Sequence, residues 1–279
     1  MICLKYIMSQ FTNAIIPAGI AVLFAFSIVA CDEQTSRPSA SAGTGTMLVL
    51  LHDNPGNYQE VWIDVQRVEV NNKADESTGW VVISEPQERY NLLELINGAQ
   101  EVLGEAELDE GTYRQIRLIL GNNNTIVVDD STYQLKTPSA QQSGLKLNID
   151  AEIQEGLITT LALDFDVKRS IVKRGRGQSK VEPYLLKPVI RAYALIETGT
   201  ISGVVAPAEA EPWIYAIVGE DTVSSTRSEK ITGEFQLLGL PENTYDVSIE
   251  PTLEGYESQV IPDVEVTAGE DTDLGTIDL

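Results

Sequence analysis

Cysteine is nearly missing from this chain. Cys3 and Cys31 are the only two, both close to the N-terminus. If a leader containing Cys3 is removed, one remains, which excludes an intramolecular disulfide and a site built from paired cysteines. Histidine occurs once, as His52. A serine triad would have to use that residue, and no Gly-x-Ser-x-Gly elbow is present to supply the nucleophile. Positive charge is scarce: 19 Lys and Arg stand against 42 Asp and Glu, a net charge of −23. A surface this acidic repels nucleic-acid phosphates and anionic membranes, so nucleic acid is excluded as a partner. The same charge keeps a protein soluble. Long apolar runs are also lacking. The longest, about Ala14 to Ala30, is short of the roughly 20 residues a membrane span needs and suits the apolar region of a signal peptide.

What is present begins at that run. Lys5 supplies a weak positive flank, lost if Met8 is the true start. The residues Ile28-Val29-Ala30-Cys31 resemble a bacterial lipobox. The resemblance implies cleavage before Cys31, diacylglycerol on its thiol and acylation of the new amine. Several acyl chains together hold a protein firmly on a membrane. An uncleaved helix, or an ordinary signal peptide with a chance cysteine, is the plainer alternative. Residues 1–30 are thus assigned as signal peptide. Residues 31–43, with Asp32-Glu33 followed by small and polar residues, read as a flexible tether. Acids directly after the cysteine resemble surface-export signals of some Bacteroidetes lipoproteins. In other bacteria, Asp beside that cysteine resembles an inner-membrane retention signal. The location expected is the bacterial cell envelope, at the outer membrane or cell surface in preference to the inner membrane.

From Thr44 onward strand patterns dominate. Met47 to Leu51 is a short apolar run, and Asp53-Asn54-Pro55-Gly56-Asn57 is dense in turn formers. Val61, Ile63 and Val65 alternate with polar residues, then the phase slips to Val68 and Val70. A slip of one residue would turn the apolar face outward, so a bulge is predicted at Gln66-Arg67. Trp80 to Ile83, Ile116 to Leu120 and Leu161 to Val167 read as further strands. Asn91 to Ile96 breaks the pattern: Asn91 with Glu94 three residues on predicts a short capped helix. Tyr184 to Ile196 is apolar, and Pro183 and Pro188 place part of it at a sheet edge.

Composition shifts at Gly199. Beyond it only Arg227 and Lys230 are basic, against 17 acids. Short strands recur at Ile201–Val205, Trp213–Val218, Glu234–Leu237, Tyr245–Ile249 and Val264–Val266, spaced as in a small sandwich. The whole reads as all-β: two β-sandwich domains, the first (44–197) with one short helix and the second spanning 198–279, preceded by the lipoprotein signal peptide.

Two family resemblances accompany this reading. Leu51-His52-Asp53-Asn54-Pro55, the Val61 to Val70 run, Asn91 to Leu95, Gly111 to Leu118, Leu161-Asp164-Phe165-Asp166 and Pro188-Val189-Ile190-Arg191 are similar to a bacterial lipoprotein family catalogued as domain of unknown function 4382. That family implies fold and location but no chemistry. Gly199 to Val205, Thr232 to Leu237, Leu238 to Val247, Val264 to Gly269 and Leu274-Gly275 resemble a carboxypeptidase regulatory-like domain, a transthyretin-like sandwich. The resemblance implies an accessory module without catalytic residues, with Tyr245 starting an inward row. Pro241-Glu242-Asn243 departs from the glycine common before Thr-Tyr, so that turn is expected to differ.

Candidate chemistry is sparse. His52 with Asp53 and Asp64 offers a metal ligand set or a base, but a lone histidine beside a turn is also an ordinary strand-end residue. Asp129-Asp130-Ser131, Asp164-Phe165-Asp166 and Glu270-Asp271-Thr272-Asp273 present oxygens suited to calcium, yet none has EF-hand spacing. The sharpest anomaly is a basic island in an acidic chain, Lys168, Arg169, Lys173, Arg174, Arg176 and Lys180. It reads either as a solvated mobile hairpin loop or as a docking loop for anionic partners, glycans or headgroups. Its Gly-x-Gly is not a phosphate loop, because no helix opening with Lys-Ser or Lys-Thr follows. Trp62, Trp80, Tyr90, Tyr113, Tyr133, Tyr184, Trp213 and Tyr256 are candidate sugar-stacking or core aromatics. No cofactor is called for. The reading is a non-catalytic envelope lipoprotein held by lipid on Cys31 that binds a ligand or glycan. The alternatives are a structural or adhesive component binding other envelope proteins, or, third, an envelope hydrolase.

Overall fold

The computed structural model describes residues 43–72, 79–137, 144–174 and 183–279. Cys31, Arg176 and Lys180 lie outside the described residues. Along the chain run β1 (Thr44–Asn54), β2 (Glu60–Asn71), β3 (Trp80–Ser84), β4 (Glu88–Asn91), β5 (Glu101–Asp109), β6 (Gly111–Leu120), β7 (Thr125–Val128), β8 (Ser131–Gln134), β9 (Leu145–Ile153) and β10 (Ile158–Asp166). A single helical turn, α1 (Val167–Ser170), leads to β11 (Ile171–Lys173), β12 (Tyr184–Leu186) and β13 (Ile190–Ala194). Then follow β14 (Thr198–Ala206), β15 (Trp213–Val218), β16 (Asp221–Arg227), β17 (Glu234–Pro241), β18 (Asn243–Glu250), β19 (Gln259–Val266) and β20 (Asp271–Asp278). The fold is all-β, and α1 is the only α-helical turn among the described residues.

The first core lies between two sheets. One has the order β13-β10-β1-β5, with β1 parallel to β10 and antiparallel to β5. The other runs β8-β7-β2-β6-β9, with β3 and β4 also on β2. Period-two alternation sends Met47, Val49 and Leu51 of β1 and Leu161, Leu163 and Phe165 of β10 into this core, all essentially without solvent exposure. β2 changes partners midway: one side pairs β7 then β6, the other β4 then β3. The register with β6 jumps between Val65 and Arg67, which is the bulge predicted from the phase slip. One extra residue keeps Val61, Ile63, Val65, Val68 and Val70 all inward.

The helix expected from Asn91 is smaller than its capping pattern suggests. Leu92–Glu94 forms one 3-10 turn, and the Asn91 side chain does not cap it. Instead its Oδ1 accepts from the Val61 N–H and its Nδ2 donates to Glu94 Oε1. Asn91 is thus committed across the sheet, and Gly98 with Asn97 (φ +56°) ends the turn at once. Pro188 precedes β13, which lies at its sheet's edge as proline there requires.

The second core, drawn from Ile201 to Ile277, sits between β17-β14-β20 and β16-β15-β18-β19. Tyr245, Val247 and Ile249 form its inward row, and the Tyr245 hydroxyl donates to the Pro241 carbonyl at 2.7 Å. That bond spans the tight β17–β18 connection where Pro241-Glu242-Asn243 replaces a glycine turn. Two strands here carry little apolar signal. β16 turns Ser224 and Thr226 inward, and β20 is largely polar.

The two cores meet through polar groups. Asn54 Oδ1 accepts from both the backbone N–H and the hydroxyl of Ser225. Asn97 makes three bonds: its N–H to Thr226 Oγ1, its Nδ2 to the Glu234 carbonyl and its Oδ1 from the Gln236 N–H. Arg191 Nη1 donates to the Gly239 carbonyl at 2.8 Å, and the Tyr193 ring occupies the space a side chain at Gly239 would need. This contact explains why His52 and Asn54, on the outward face of β1, are nevertheless buried.

Candidate binding cleft

The seam between the cores opens into two adjoining hollows. In β15, Ile214 and Ala216 point into the second core. Alternation therefore places Trp213 and Tyr215 on the outer face, about 7 Å apart along the strand. They line one hollow of about 270 Å³ with Pro55, Asn57, Tyr58 and Lys168. Pro55 and Asn57 belong to the turn formers after β1. A second hollow of about 270 Å³ shares Lys168 and Tyr215 with the first and adds Asp164, Asp166, Arg169, Arg191 and Thr222. Together they reach the size range of small-molecule sites.

Lys168 is held where the hollows join. Asp166 caps α1, its Oδ1 accepting from the Arg169 N–H at 2.8 Å. This single turn points Lys168 across the seam, with Nζ 5.2 Å from the centre of the Tyr215 ring. Arg227 stands 5.7 Å over Trp213, so each of the two β15 aromatics carries a cation. Stacked aromatic faces with a few placed polar groups suit the alternating apolar and hydroxyl faces of a sugar ring.

Behind the cleft lies a buried polar row. Register pairs His52 with Asp164 and Asp164 with Arg191 across β1, β10 and β13. Arg191 Nη2 donates to Asp164 Oδ2 at 2.9 Å, His52 Nε2 bonds the Tyr193 hydroxyl at 2.6 Å, and His52 Nδ1 stands 3.8 Å from Asp164 Oδ1. Burial lowers the His52 pKa, with Asp164 opposing and Arg191 assisting. Burial, with Asp164 adding to it, pushes the Asp53 carboxyl well above the usual carboxylate range. His52 lines neither hollow, and its partners are Asp164 and Tyr193 rather than Asp64. Asp64 instead braces the 121–124 turn by accepting from Asn123 N–H and Gln66.

Among the described residues no group of three or more His, Cys, Asp or Glu is arranged to hold a metal ion. The acidic triplets have other employment. Asp129 and Asp130, both at positive φ, form the β7–β8 turn. Asp164 and Asp166 pair with Arg191 and cap α1. Asp271 accepts from Thr200 and Ser202 hydroxyls.

Of the basic island, Lys168 and Arg169 line the cleft, whereas Lys173 and Arg174 stand on the β11–β12 hairpin. Trp213 is the one candidate aromatic in the cleft. Tyr90 and Tyr113 are core residues, and Tyr133 packs edge-on against Tyr184. Trp62 and Trp80 stack under Arg89 and Arg117, and Tyr256 bonds Glu209. Tyr58, Tyr215 and Arg191 are cleft residues that the sequence reading passed over. The period-two outward phase of Trp213 was the available signal for Tyr215; nothing local marks Tyr58 or Arg191.

A larger hollow, about 660 Å³, lies elsewhere, between β9, the start of β10 and the end of β13. It has Leu157, Ile158 and Ile196 on its walls, 56%, 70% and 84% exposed, and no aromatic residue.

These features define an all-β protein with two cores and an aromatic cleft at their junction. Residues 44–188, just over half of the chain, match the family described as domain of unknown function DUF4382, and the chain belongs to that family. The match stops short of the second core, which keeps only its residue-level resemblance. No curated protein matches. Among solved structures, the Bacillus anthracis TIE protein is similar over 85% of this chain and 34% of its own length, at 12% identity and a TM-score of 0.22. A fimbrial protein from Bacteroides ovatus is similar over 85% of this chain and 50% of its own, at 9% identity and a TM-score of 0.21. The chain thus spans about a third and a half of their lengths. At these scores neither likeness bears on function.

Proposed function

We propose that this protein is a non-catalytic lipoprotein of the bacterial cell envelope, held by lipid on Cys31, that binds a glycan in the cleft between its cores. The second domain serves as an accessory sandwich that supplies one wall. The observation that carries the reading is the outward pair Trp213 and Tyr215, facing Pro55, Tyr58 and Lys168 across a hollow of about 270 Å³. Both rings are half-buried on the outer face, and aromatic faces set in a hollow can stack on a sugar ring. The outer membrane or cell surface is the location this reading favours.

Two experiments test it. A ligand at a hundred times its dissociation constant adds about 2.7 kcal/mol to stability. Thermal unfolding of the purified protein against an oligosaccharide panel should show such a shift, and the Trp213→Ala/Tyr215→Ala double variant should lose it while keeping its circular dichroism. An equal shift in the double variant would move binding away from the cleft. Cys31→Ala should release the protein from membranes into the soluble fraction; retention in the membrane pellet would contradict lipid anchoring.

A second reading, a scaffold that binds other envelope proteins, is favoured by the open edges of β9 and β13 and the exposed Leu157, Ile158 and Ile196 between them. It predicts a cross-linked protein partner and no oligosaccharide shift.

A further inference from the structure

The charges in the cleft do not cancel. The second hollow gathers three cations, Lys168, Arg169 and Arg191, and two carboxylates, Asp164 and Asp166. Arg191 is bonded to Asp164 at 2.9 Å, and Arg169 lies 3.6 Å from Asp166. Lys168 makes no ion pair with any described residue; its partner is the face of Tyr215. Its charge reaches the neighbouring Asp166 carboxyl without forming an ion pair, which leaves the ammonium open to a ligand. From the second sandwich, Arg227 stands over Trp213, but its charge is met by Glu211, which Lys230 also engages.

The placement of that cation matters as much as its charge. Lys168 belongs to both hollows, so a ligand stacked on Trp213, Tyr215 and Tyr58 has Lys168 at its edge. Thr222 offers a hydroxyl to sugar hydroxyls on the far side. The net charge of −23 opposes acidic ligands at long range. At physiological salt that repulsion is screened beyond about 8 Å, which leaves the local cation to decide.

We propose that the cleft takes an acidic oligosaccharide, whose carboxylate or sulfate is met by the Lys168 ammonium while its rings stack on Trp213, Tyr215 and Tyr58. This rests on the glycan-binding reading above and names its ligand class. Arg169, exposed beside Lys168, widens the positive rim for a second acidic residue along the ligand. Three cations from the first sandwich and two aromatics from the second make the site a joint product of both.

The test is calorimetric titration of the purified protein with three tetrasaccharides: neutral cellotetraose, a galacturonate tetramer and a sulfated chondroitin tetramer. At least one acidic tetramer should bind tenfold or more tighter than cellotetraose, and the two acidic arms separate carboxylate from sulfate. Lys168→Gln should remove that preference, and Lys168→Arg should restore most of it. Trp213→Ala should weaken every tetramer that binds. If neutral and acidic tetramers bind equally, or Lys168→Gln leaves the preference intact, the acidic-ligand inference falls and glycan binding stands. If none of the three binds, both fall. Position 168 is solvent-exposed, so these variants should keep the wild-type melting point, which the same samples verify.

Discussion

Asp53 is buried at the inward end of β1 with one carboxylate oxygen bonded and the other bare. Its Oδ1 accepts from the Val167 N–H at 3.2 Å, while Oδ2 has no partner among the described residues. Burial raises its pKa well above 3.8. The folded state therefore keeps a proton that the unfolded chain releases, and stability falls as pH rises from about 4 toward the raised value. Asp53→Asn keeps the Oδ1 acceptor and removes the charge. It should leave the melting point near pH 4 unchanged and raise it at pH 7–8, flattening the profile between. A variant profile parallel to wild type would show that Asp53 is not the group responsible. His52 acts with the opposite sign. Burial lowers its pKa from 6.5, so its share of stability is present above 6.5 and is lost as pH falls from there through the lowered value. The two effects make the C-terminal end of β1 pH-sensitive, although neither residue lines a hollow.

At the scale of elements, pattern carried far where apolar alternation was strong. The bulge in β2, the inward rows of β1, β10 and β18, and the edge position of β13 all follow from residue type and spacing. β16 was invisible because its inward residues are Ser224 and Thr226, which answer Leu238 and Asn97 by hydrogen bonds rather than by apolar burial. Such partners are remote in sequence, and no local period announces them. For the same reason Asn91 looked like a cap: Asn91 and Glu94 do bond each other, but Val61 in β2 claims the Asn91 oxygen. Asn97 was equally silent, yet it supplies three bonds to the second sandwich from a left-handed backbone. Asn97→Ala removes two side-chain bonds and strains the backbone, a loss of about 2–4 kcal/mol. Urea unfolding of this variant, followed by tyrosine and tryptophan fluorescence, should split into two transitions as the second core loosens first. A single transition at the wild-type midpoint would mean that Asn97 does not join the cores.

At the scale of the whole molecule, the cleft lies where the two cores are joined by Asn54, Asn97 and Arg191. Half of its parts are legible in the sequence. Lys168, Arg169 and Trp213 stood out by charge and chemistry, but no spacing along the chain brings residues 58, 168 and 215 together. The basic island proved to be divided, with its first two members turned to the cleft and the next two on a separate hairpin. Lys168, over the Tyr215 ring where the two hollows meet, is the cation on which the proposed ligand preference rests.

Trp213 itself offers the most direct test of cleft binding. The protein has three tryptophans, so a Trp62→Phe/Trp80→Phe variant reports from Trp213 alone. Titrated with the galacturonate and sulfated tetramers, its emission should shift and saturate at the affinity measured by calorimetry. Calorimetric binding with an unmoved Trp213 signal would place the ligand elsewhere and contradict the account.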